Sequence, residues 1–173
     1  MNRIDVLGVE FDDLTMDEAV ERALGLIEER RAAYACTPNP EIVMAARENA
    51  SLAAALKDAA LVLADGVGIT KAAQMLHTPL KGRVPGIDFA QALMARLAER
   101  GGSVYLFGAK PGVAEAAAGN LSARFPGISI AGVSDGYFTD DGPIIEKINA
   151  ASPDFLMVCL GSPKQELWMA EHA

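Results

Sequence analysis

Several features that mark common protein classes are scarce in this sequence. It has two cysteines, Cys36 and Cys159, which are far apart and each lie in an apolar run. This pattern predicts two buried thiols in a reducing compartment rather than a disulfide framework. The longest apolar runs, such as AALVLA and FLMVCL, are much shorter than the roughly 20 residues of a membrane-spanning helix. We therefore expect a cytoplasmic chain that meets a membrane only peripherally.

Basic residues are in the minority. The chain has 15 lysines and arginines against 23 aspartates and glutamates, which gives a formal net charge of −8. Such a surface repels nucleic acids and anionic lipids, so we expect no nucleic-acid partner. Any phosphate group that binds this chain must be held by local features.

The motifs of several enzyme classes are missing as well. There is no G-x-G-x-x-G, no G-x-x-x-x-G-K-[ST] and no G-x-S-x-G, and GAKPG is only loosely similar to a phosphate-binding loop. The pairs Asp12-Asp13 and Asp140-Asp141 lack the D-x-D spacing of metal-dependent sugar transferases, and the two histidines are isolated. We predict no metal site and no cofactor.

What the sequence does contain is an alternation of helical and strand patterns. A helix is predicted over 15–30, with a capping box of Thr15 and Glu18, and another over 40–49, with Asn39 as its cap. The first residues, IDVLGVEFDD, favour a hairpin or edge element. The remaining predicted strands are LVLA, SVYLF, ISIAGVS and DFLMVCL, with helices between them. This order predicts a single α/β domain with a Rossmann-like, doubly wound, mostly parallel sheet and helices on both faces.

Ligands of such sheets bind beyond the carboxyl ends of the strands. Four segments occupy that position in the predicted fold: YACTPNPE, LVLADGVG, YLFGAKPG and CLGSPKQE. Their glycines let main chain approach a ligand, and helix starts favour anions. Lys110, Lys164 and Arg83 add positive charge that an acidic protein needs to bind phosphate.

Asp65 follows the apolar run LVLA and precedes Gly66 and Gly68. A carboxylate at the end of a strand can accept a proton from a hydroxyl group, which makes Asp65 a candidate general base. It can equally be the N-cap of the following helix. The same ambiguity applies to the neighbouring segment, where we expect Asn39 to cap its helix and Thr37 to be the better ligand contact.

Two further segments have alternative interpretations. Ser162 and Gln165 match the capping box S-x-x-Q, which we favour there and which leaves Lys164 available to a ligand. In DGYFTDD, Tyr137 and Phe138 can stack on a base, or they can cover the edge of the sheet.

Six segments, in order and spacing, resemble the WecG/TagA/CpsF family, which is glycosyltransferase family 26: TPNPEIVMAAR, LADGVGI, GRVPGIDF, YLFGAKPGVAE, DGYFTDD and LGSPKQELW. The resemblance runs from about residue 3 to the last residue. It implies transfer of an N-acetylmannosamine-type sugar from UDP to undecaprenyl-diphosphate-linked N-acetylglucosamine, as in wall teichoic acid synthesis. The implied transfer inverts the anomeric centre and requires no metal.

The resemblance also implies roles for individual residues. Asp65 matches the family's DG motif and would be the base, with Gly66 and Gly68 leaving room for substrate. Thr37 and Asn39 match its TPN segment, and Arg83 matches the arginine of its RVxGxD segment. The residues implied to hold uridine diphosphate lie in three loops: Gly108, Ala109, Lys110, Tyr137, Gly161, Lys164 and Gln165.

In that family a basic and apolar C-terminal segment, similar to a membrane-docking lid, follows the point where this chain ends. The last predicted helix has no stop signal, so we expect a longer natural protein that docks on the inner face of the cell membrane. Without the segment, we expect residues 1–173 to form one catalytic domain that binds nucleotide but turns over poorly, and that can form a homo-oligomer. Two alternatives stay open: a non-catalytic UDP-sugar-binding module, and an NAD-dependent oxidoreductase, which lacks its glycine fingerprint.

Overall fold

The computed structural model describes residues 2–30 and 32–173. Helices alternate with parallel strands along most of this length, which confirms the α/β class. The chain divides into two compact units, a first unit of residues 1–89 and 162–173 and a second unit of residues 90–161. The elements are β1 (Arg3–Val6), β2 (Val9–Asp12), α1 (Met16–Glu28), β3 (Ala35–Cys36), α2 (Pro40–Glu48), α3 (Ala50–Asp58), β4 (Leu61–Val62), α4 (Val67–Met75), α5 (Gly86–Glu99), β5 (Ser103–Gly108), α6 (Val113–Arg124), β6 (Ser129–Ser134), α7 (Gly142–Ala151), β7 (Phe155–Cys159) and α8 (Lys164–His172).

The local signals at the start of the chain are confirmed. β1 and β2 pair as an antiparallel hairpin. The Thr15 hydroxyl accepts a hydrogen bond from the main-chain N–H of Glu18, and the Glu18 carboxylate accepts one from the N–H of Thr15, so the capping box of α1 is complete. The side chain of Asn39 caps α2 by accepting a 2.9 Å hydrogen bond from the N–H of Ile42.

In the first unit, β3 and β4 form a parallel pair in which Ala35 lies opposite Leu61. The hairpin is fastened to this pair by Asp12, which is buried. Its carboxylate accepts hydrogen bonds from Nε of Arg3 at 3.0 Å and from the N–H of Val62 at 2.8 Å. Helix α8 packs against α3 in the same unit. These contacts enclose an apolar core that includes Phe11, Leu52, Leu56, Val62 and Ile69.

In the second unit, β5 is the central strand of a parallel three-stranded sheet in the order β6-β5-β7. Helices α6 and α7 pack against this sheet. Asp154 joins the starts of β5 and β7, because its carboxylate accepts hydrogen bonds from both the N–H and the hydroxyl of Ser103. The parallel strands of the described residues thus belong to two separate hydrogen-bonded sheets, one in each unit.

The cysteine prediction is half right. Cys36 is buried, but Cys159 at the end of β7 is exposed, so the interpretation of Cys159 as a buried thiol is wrong. The apolar run that suggested burial belongs to the strand, whereas the strand's last residue already lies at an open loop. Both thiols are free.

None of the described helices is long and apolar enough to cross a bilayer.

Candidate functional site

Asp65 leaves the buried segment that continues β4 and is itself half-buried. It does not cap the helix that follows, because the N-cap of α4 is Gly66 and no side chain caps that helix. Instead, Oδ2 of Asp65 accepts a 3.0 Å hydrogen bond from the main-chain N–H of Gly86, the first residue of α5. The carboxylate thus lies at the N-terminus of a 14-residue helix, where the helix dipole favours negative charge. Among the described residues, no group donates a hydrogen bond to Oδ1.

Gly86, which binds the carboxylate of Asp65, is not among the residues predicted for the site. A Cβ atom at this position would lie 2.5 Å from Oγ1 and 3.1 Å from Cβ of Thr37. Because glycine leaves that space open, Thr37 packs directly on the residue that binds Asp65. The only signal in the sequence is a glycine after proline in GRVPG, which does not reveal the distant partner.

Arg83 is exposed and belongs to the segment that leads into α5. The N–H of Val84 donates a 2.9 Å hydrogen bond to the carbonyl of Ala64, so this segment runs beside the residue that precedes Asp65. Lys81 fixes its other end: its N–H donates to Asp13 at 2.7 Å and its Nζ donates to Glu18 at 2.8 Å. The hydrogen bond from Lys81 lowers the pKa of Glu18.

Gly66 and Gly68 face the ring of Pro40 in the structure. A Cβ atom on Gly68 would lie 2.7 Å from Cγ of Pro40, and one on Gly66 would lie 3.4 Å from its Cδ. The two glycines thus let the start of α2 approach the start of α4. Asn39 uses its Oδ1 as the cap of α2, as expected. That Thr37 contacts a ligand stays a prediction.

The start of α8 differs from the prediction. Pro163 is the N-cap and no side chain caps this helix, so the proposed capping box of Ser162 and Gln165 is wrong. The helix begins one residue later than the box requires. That shift gives the third helical position to Glu166, whose Oε1 accepts a 3.1 Å hydrogen bond from Nε2 of Gln165. Lys164 is exposed at the first position of the helix.

The second unit contains an open pocket of about 340 Å³. Main-chain hydrogen bonds join the three loops around it: the N–H of Ala109 donates to Cys159, and the N–H of Gly136 donates to Ala109, both at 2.9 Å. Gly108 has a φ of 126° and packs against the main chain of Cys159, which only a glycine permits. The pocket is lined by Ala109, Lys110, Gly136, Tyr137, Cys159, Leu160 and Gly161.

The two aromatic residues of DGYFTDD lie in different surroundings. Phe138 packs against Phe107 with ring centroids 5.6 Å apart, so it covers the end of the sheet. Tyr137 is 69% exposed and lines the pocket, so stacking of its ring on a base stays a prediction. Lys110 is exposed beside it, and Gly112, the N-cap of α6, has no side-chain cap, so main-chain N–H groups point out of that helix start.

The predicted site residues thus fall into two groups. In the first unit they are Thr37, Asn39, Asp65, Gly66, Gly68, Arg83, Lys164 and Gln165; in the second unit they are Gly108, Ala109, Lys110, Tyr137 and Gly161. The first group includes a carboxylate held through one oxygen, and the second includes a glycine-rich pocket lined by a lysine and an aromatic ring. Within the described ranges, no three acidic, histidine or cysteine residues form a group that could hold a metal ion.

Comparison with known proteins shows the family to which the chain belongs. The family model described as glycosyl transferase WecG/TagA/CpsF family matches residues 4–173. The chain is 33% identical over 172 residues to N-acetylglucosaminyldiphosphoundecaprenol N-acetyl-beta-D-mannosaminyltransferases of Staphylococcus aureus strains NCTC 8325 / PS 47, COL and MSSA476. Each alignment covers 98% of this chain and 68% of the relative. This chain belongs to the WecG/TagA/CpsF glycosyltransferase family.

Proposed function

We propose that this protein transfers N-acetylmannosamine, or a closely related sugar, from UDP to undecaprenyl-diphosphate-linked N-acetylglucosamine. Membership of the family and the activity for which its relatives are named support the sugar and the acceptor. The observation that carries the chemical part of the proposal is the 3.0 Å hydrogen bond from Gly86 to Asp65, which orients the carboxylate through Oδ2 and leaves Oδ1 without a donor among the described residues.

In the proposed reaction Asp65 is the general base. A hydroxyl oxygen of the acceptor sugar attacks the anomeric carbon, and its proton passes to Oδ1 of Asp65 as the new glycosidic bond forms. The bond between the anomeric carbon and the β-phosphate oxygen breaks, and UDP leaves with the bonding electron pair. A single displacement of this kind inverts the anomeric centre. Thr37, Asn39, Arg83 and Gln165 are the proposed contacts of the sugars.

The pocket of the second unit is the proposed binding site for the UDP part of the donor. Negative charge develops on the diphosphate as it leaves, and cationic side chains and N–H donors stabilise that charge. Lys110 lines the pocket and supplies a cation. The start of α6, whose N-cap Gly112 lies two residues further on and has no side-chain cap, is the proposed source of N–H donors. Tyr137 offers an exposed ring on which the uracil base can stack.

Because the proposed acceptor is lipid-linked, we propose that the protein attaches peripherally to the inner face of the cell membrane. Vesicle flotation with and without the acceptor lipid tests this attachment. Homo-oligomer formation stays a prediction that analytical ultracentrifugation can check.

The proposed function is tested by measuring UDP release from a panel of UDP-sugars with a soluble polyprenyl-diphosphate N-acetylglucosamine acceptor, using the full-length protein. We expect release that requires the acceptor and is fastest with UDP-N-acetylmannosamine. Thermal unfolding with each UDP-sugar gives an independent ranking, because a ligand of the folded state raises the melting temperature with its affinity. UDP-sugar binding without acceptor-dependent release would instead support a non-catalytic UDP-sugar-binding module.

A further inference from the structure

Glu166 is one of two charged residues that are buried in the described part of the chain, the other being Asp12. It is 2% exposed in the first turn of α8, the helix that packs against α3 in the first unit. Both oxygens of Asp12 accept hydrogen bonds. Glu166 has a partner for only one oxygen: Oε1 accepts from Nε2 of Gln165, and Oε2 has no hydrogen-bond partner among the described residues.

This arrangement is unfavourable for folding. A buried carboxylate without a full set of donors loses hydration that its protein contacts do not replace, so a neutral side chain of similar shape is often tolerated or even stabilising. The acidic position in the first turn of a helix offsets part of this cost through the helix dipole. Stability of the fold alone therefore does not explain why the charge is present.

The surroundings of Glu166 suggest a different reason. Burial raises the pKa of the Cys36 thiol to about 12, and the nearby charge of Glu166 adds to that effect. Cys36 is the last residue of β3 and is followed directly by Thr37. Met169, one turn beyond Glu166, packs against the core cluster that contains Cys36. Glu166 is therefore a buried carboxylate whose charge reaches the last residue of β3 and whose hydrogen-bond partner among the described residues is Gln165.

We propose that Glu166 is a positioning residue that orients the amide of Gln165 toward the sugar of the donor. A charged acceptor forms a hydrogen bond roughly twice as strong as a neutral one, so a carboxylate holds the Gln165 Nε2 donor more firmly than another amide would. This fixes which face of the Gln165 amide is presented. The inference rests on the proposed function, because it takes Gln165 as a sugar contact.

The test compares the affinities of UDP and of the UDP-sugar preferred by the wild type, measured by calorimetry on the full-length protein. We expect Glu166→Gln to weaken UDP-sugar binding about five-fold while UDP binding and the melting temperature do not fall. Glu171→Gln changes an exposed acid on the same helix and is the matched control. A fall in the melting temperature together with equal weakening of both ligands would assign Glu166 a structural role and overturn the proposal.

A double-mutant cycle shows whether Glu166 acts through its neighbour. With Gln165→Ala as the background, Glu166→Gln should no longer change UDP-sugar affinity; the same five-fold effect in both backgrounds contradicts the proposal. If Glu166→Gln does not fold, Glu166→Asp replaces it in the cycle, because the shorter side chain moves the carboxylate away from Gln165 by one methylene group. The expected loss of UDP-sugar affinity, and its absence in the Gln165→Ala background, are the same. Failure of the proposed function is distinguishable, because the wild type would then show no acceptor-dependent release of UDP, whereas the Glu166 proposal is judged from the binding constants alone.

Discussion

The main-chain N–H of Gly86 holds Oδ2 of Asp65 at 3.0 Å, although 21 residues separate the two in sequence. This contact makes the start of α5 a support for the proposed base. Thr37 packs on the same glycine, so one residue without a side chain joins the strand-end segment after β3 to the one after β4.

Gly86→Ala should therefore damage the site. The new methyl group would lie 2.5 Å from Oγ1 of Thr37, so either Thr37 or the start of α5 must move. We expect a loss of about 1–3 kcal/mol in the free energy of unfolding and at least a ten-fold loss of turnover. Gly82→Ala is the matched control in the same loop, because nothing lies within 4 Å of its Cβ position. Turnover of Gly86→Ala equal to that of Gly82→Ala would contradict the proposed support.

Lys110→Met should weaken UDP binding about ten-fold, since it removes a charged donor from the proposed diphosphate pocket. The effect should shrink as salt is added, because an exposed charge is screened. Lys147→Met removes an exposed lysine from α7 outside the pocket lining and should leave UDP affinity unchanged. Equal affinities in the two variants would argue against diphosphate binding at this pocket.

Alkylation should distinguish the two cysteines. Burial raises the pKa of Cys36 to about 12, so its reactive thiolate is scarce in the native protein, and its sulfur is inaccessible. Cys159 is exposed at the pocket, and desolvation of its sulfur raises its pKa, so labelling is run near pH 9 to increase the fraction of reactive thiolate. We expect iodoacetamide to modify Cys159 alone and saturating UDP to slow the reaction, as measured by peptide mass spectrometry. Labelling at an unchanged rate in UDP would place the nucleotide elsewhere.

Asp12→Ala tests the attachment of the hairpin. It removes the partner of Arg3 and of the Val62 N–H and should cost about 3–5 kcal/mol in the free energy of unfolding measured with urea. Asp17→Ala, at an exposed position in α1, should stay within about 0.5 kcal/mol of the wild type. If both variants unfold at the same urea concentration, the buried ion pair does not stabilise the fold as described.

The features that sequence predicts correctly here are local. The capping box of Thr15 and Glu18 and the cap at Asn39 depend on groups three residues apart, so their geometry follows from the residue types. The alternation of apolar strands and amphipathic helices likewise predicts the α/β class, because parallel strands need crossover connections.

What sequence does not predict depends on distant contacts or on register. The hydrogen bond of Asp65 comes from a helix that begins 21 residues later, and no spacing rule identifies that donor. At α8, a shift of one residue in the helix start removes Ser162 from the cap position and places Glu166 in the buried first turn. Cys159 is exposed because its strand ends there, which hydrophobicity of the run does not reveal.

The most direct test of the account is Asp65→Asn in the full-length protein, because asparagine retains the acceptor for the Gly86 N–H but cannot take up a proton. Acceptor-dependent UDP release should fall about 10²- to 10⁴-fold while UDP-sugar affinity stays at the wild-type value. Asp17→Asn, which alters an exposed carboxylate in α1 that is distant from Asp65 in sequence, should turn over at the wild-type rate. Turnover by Asp65→Asn at the wild-type rate would show that another group accepts the proton and would contradict the central claim.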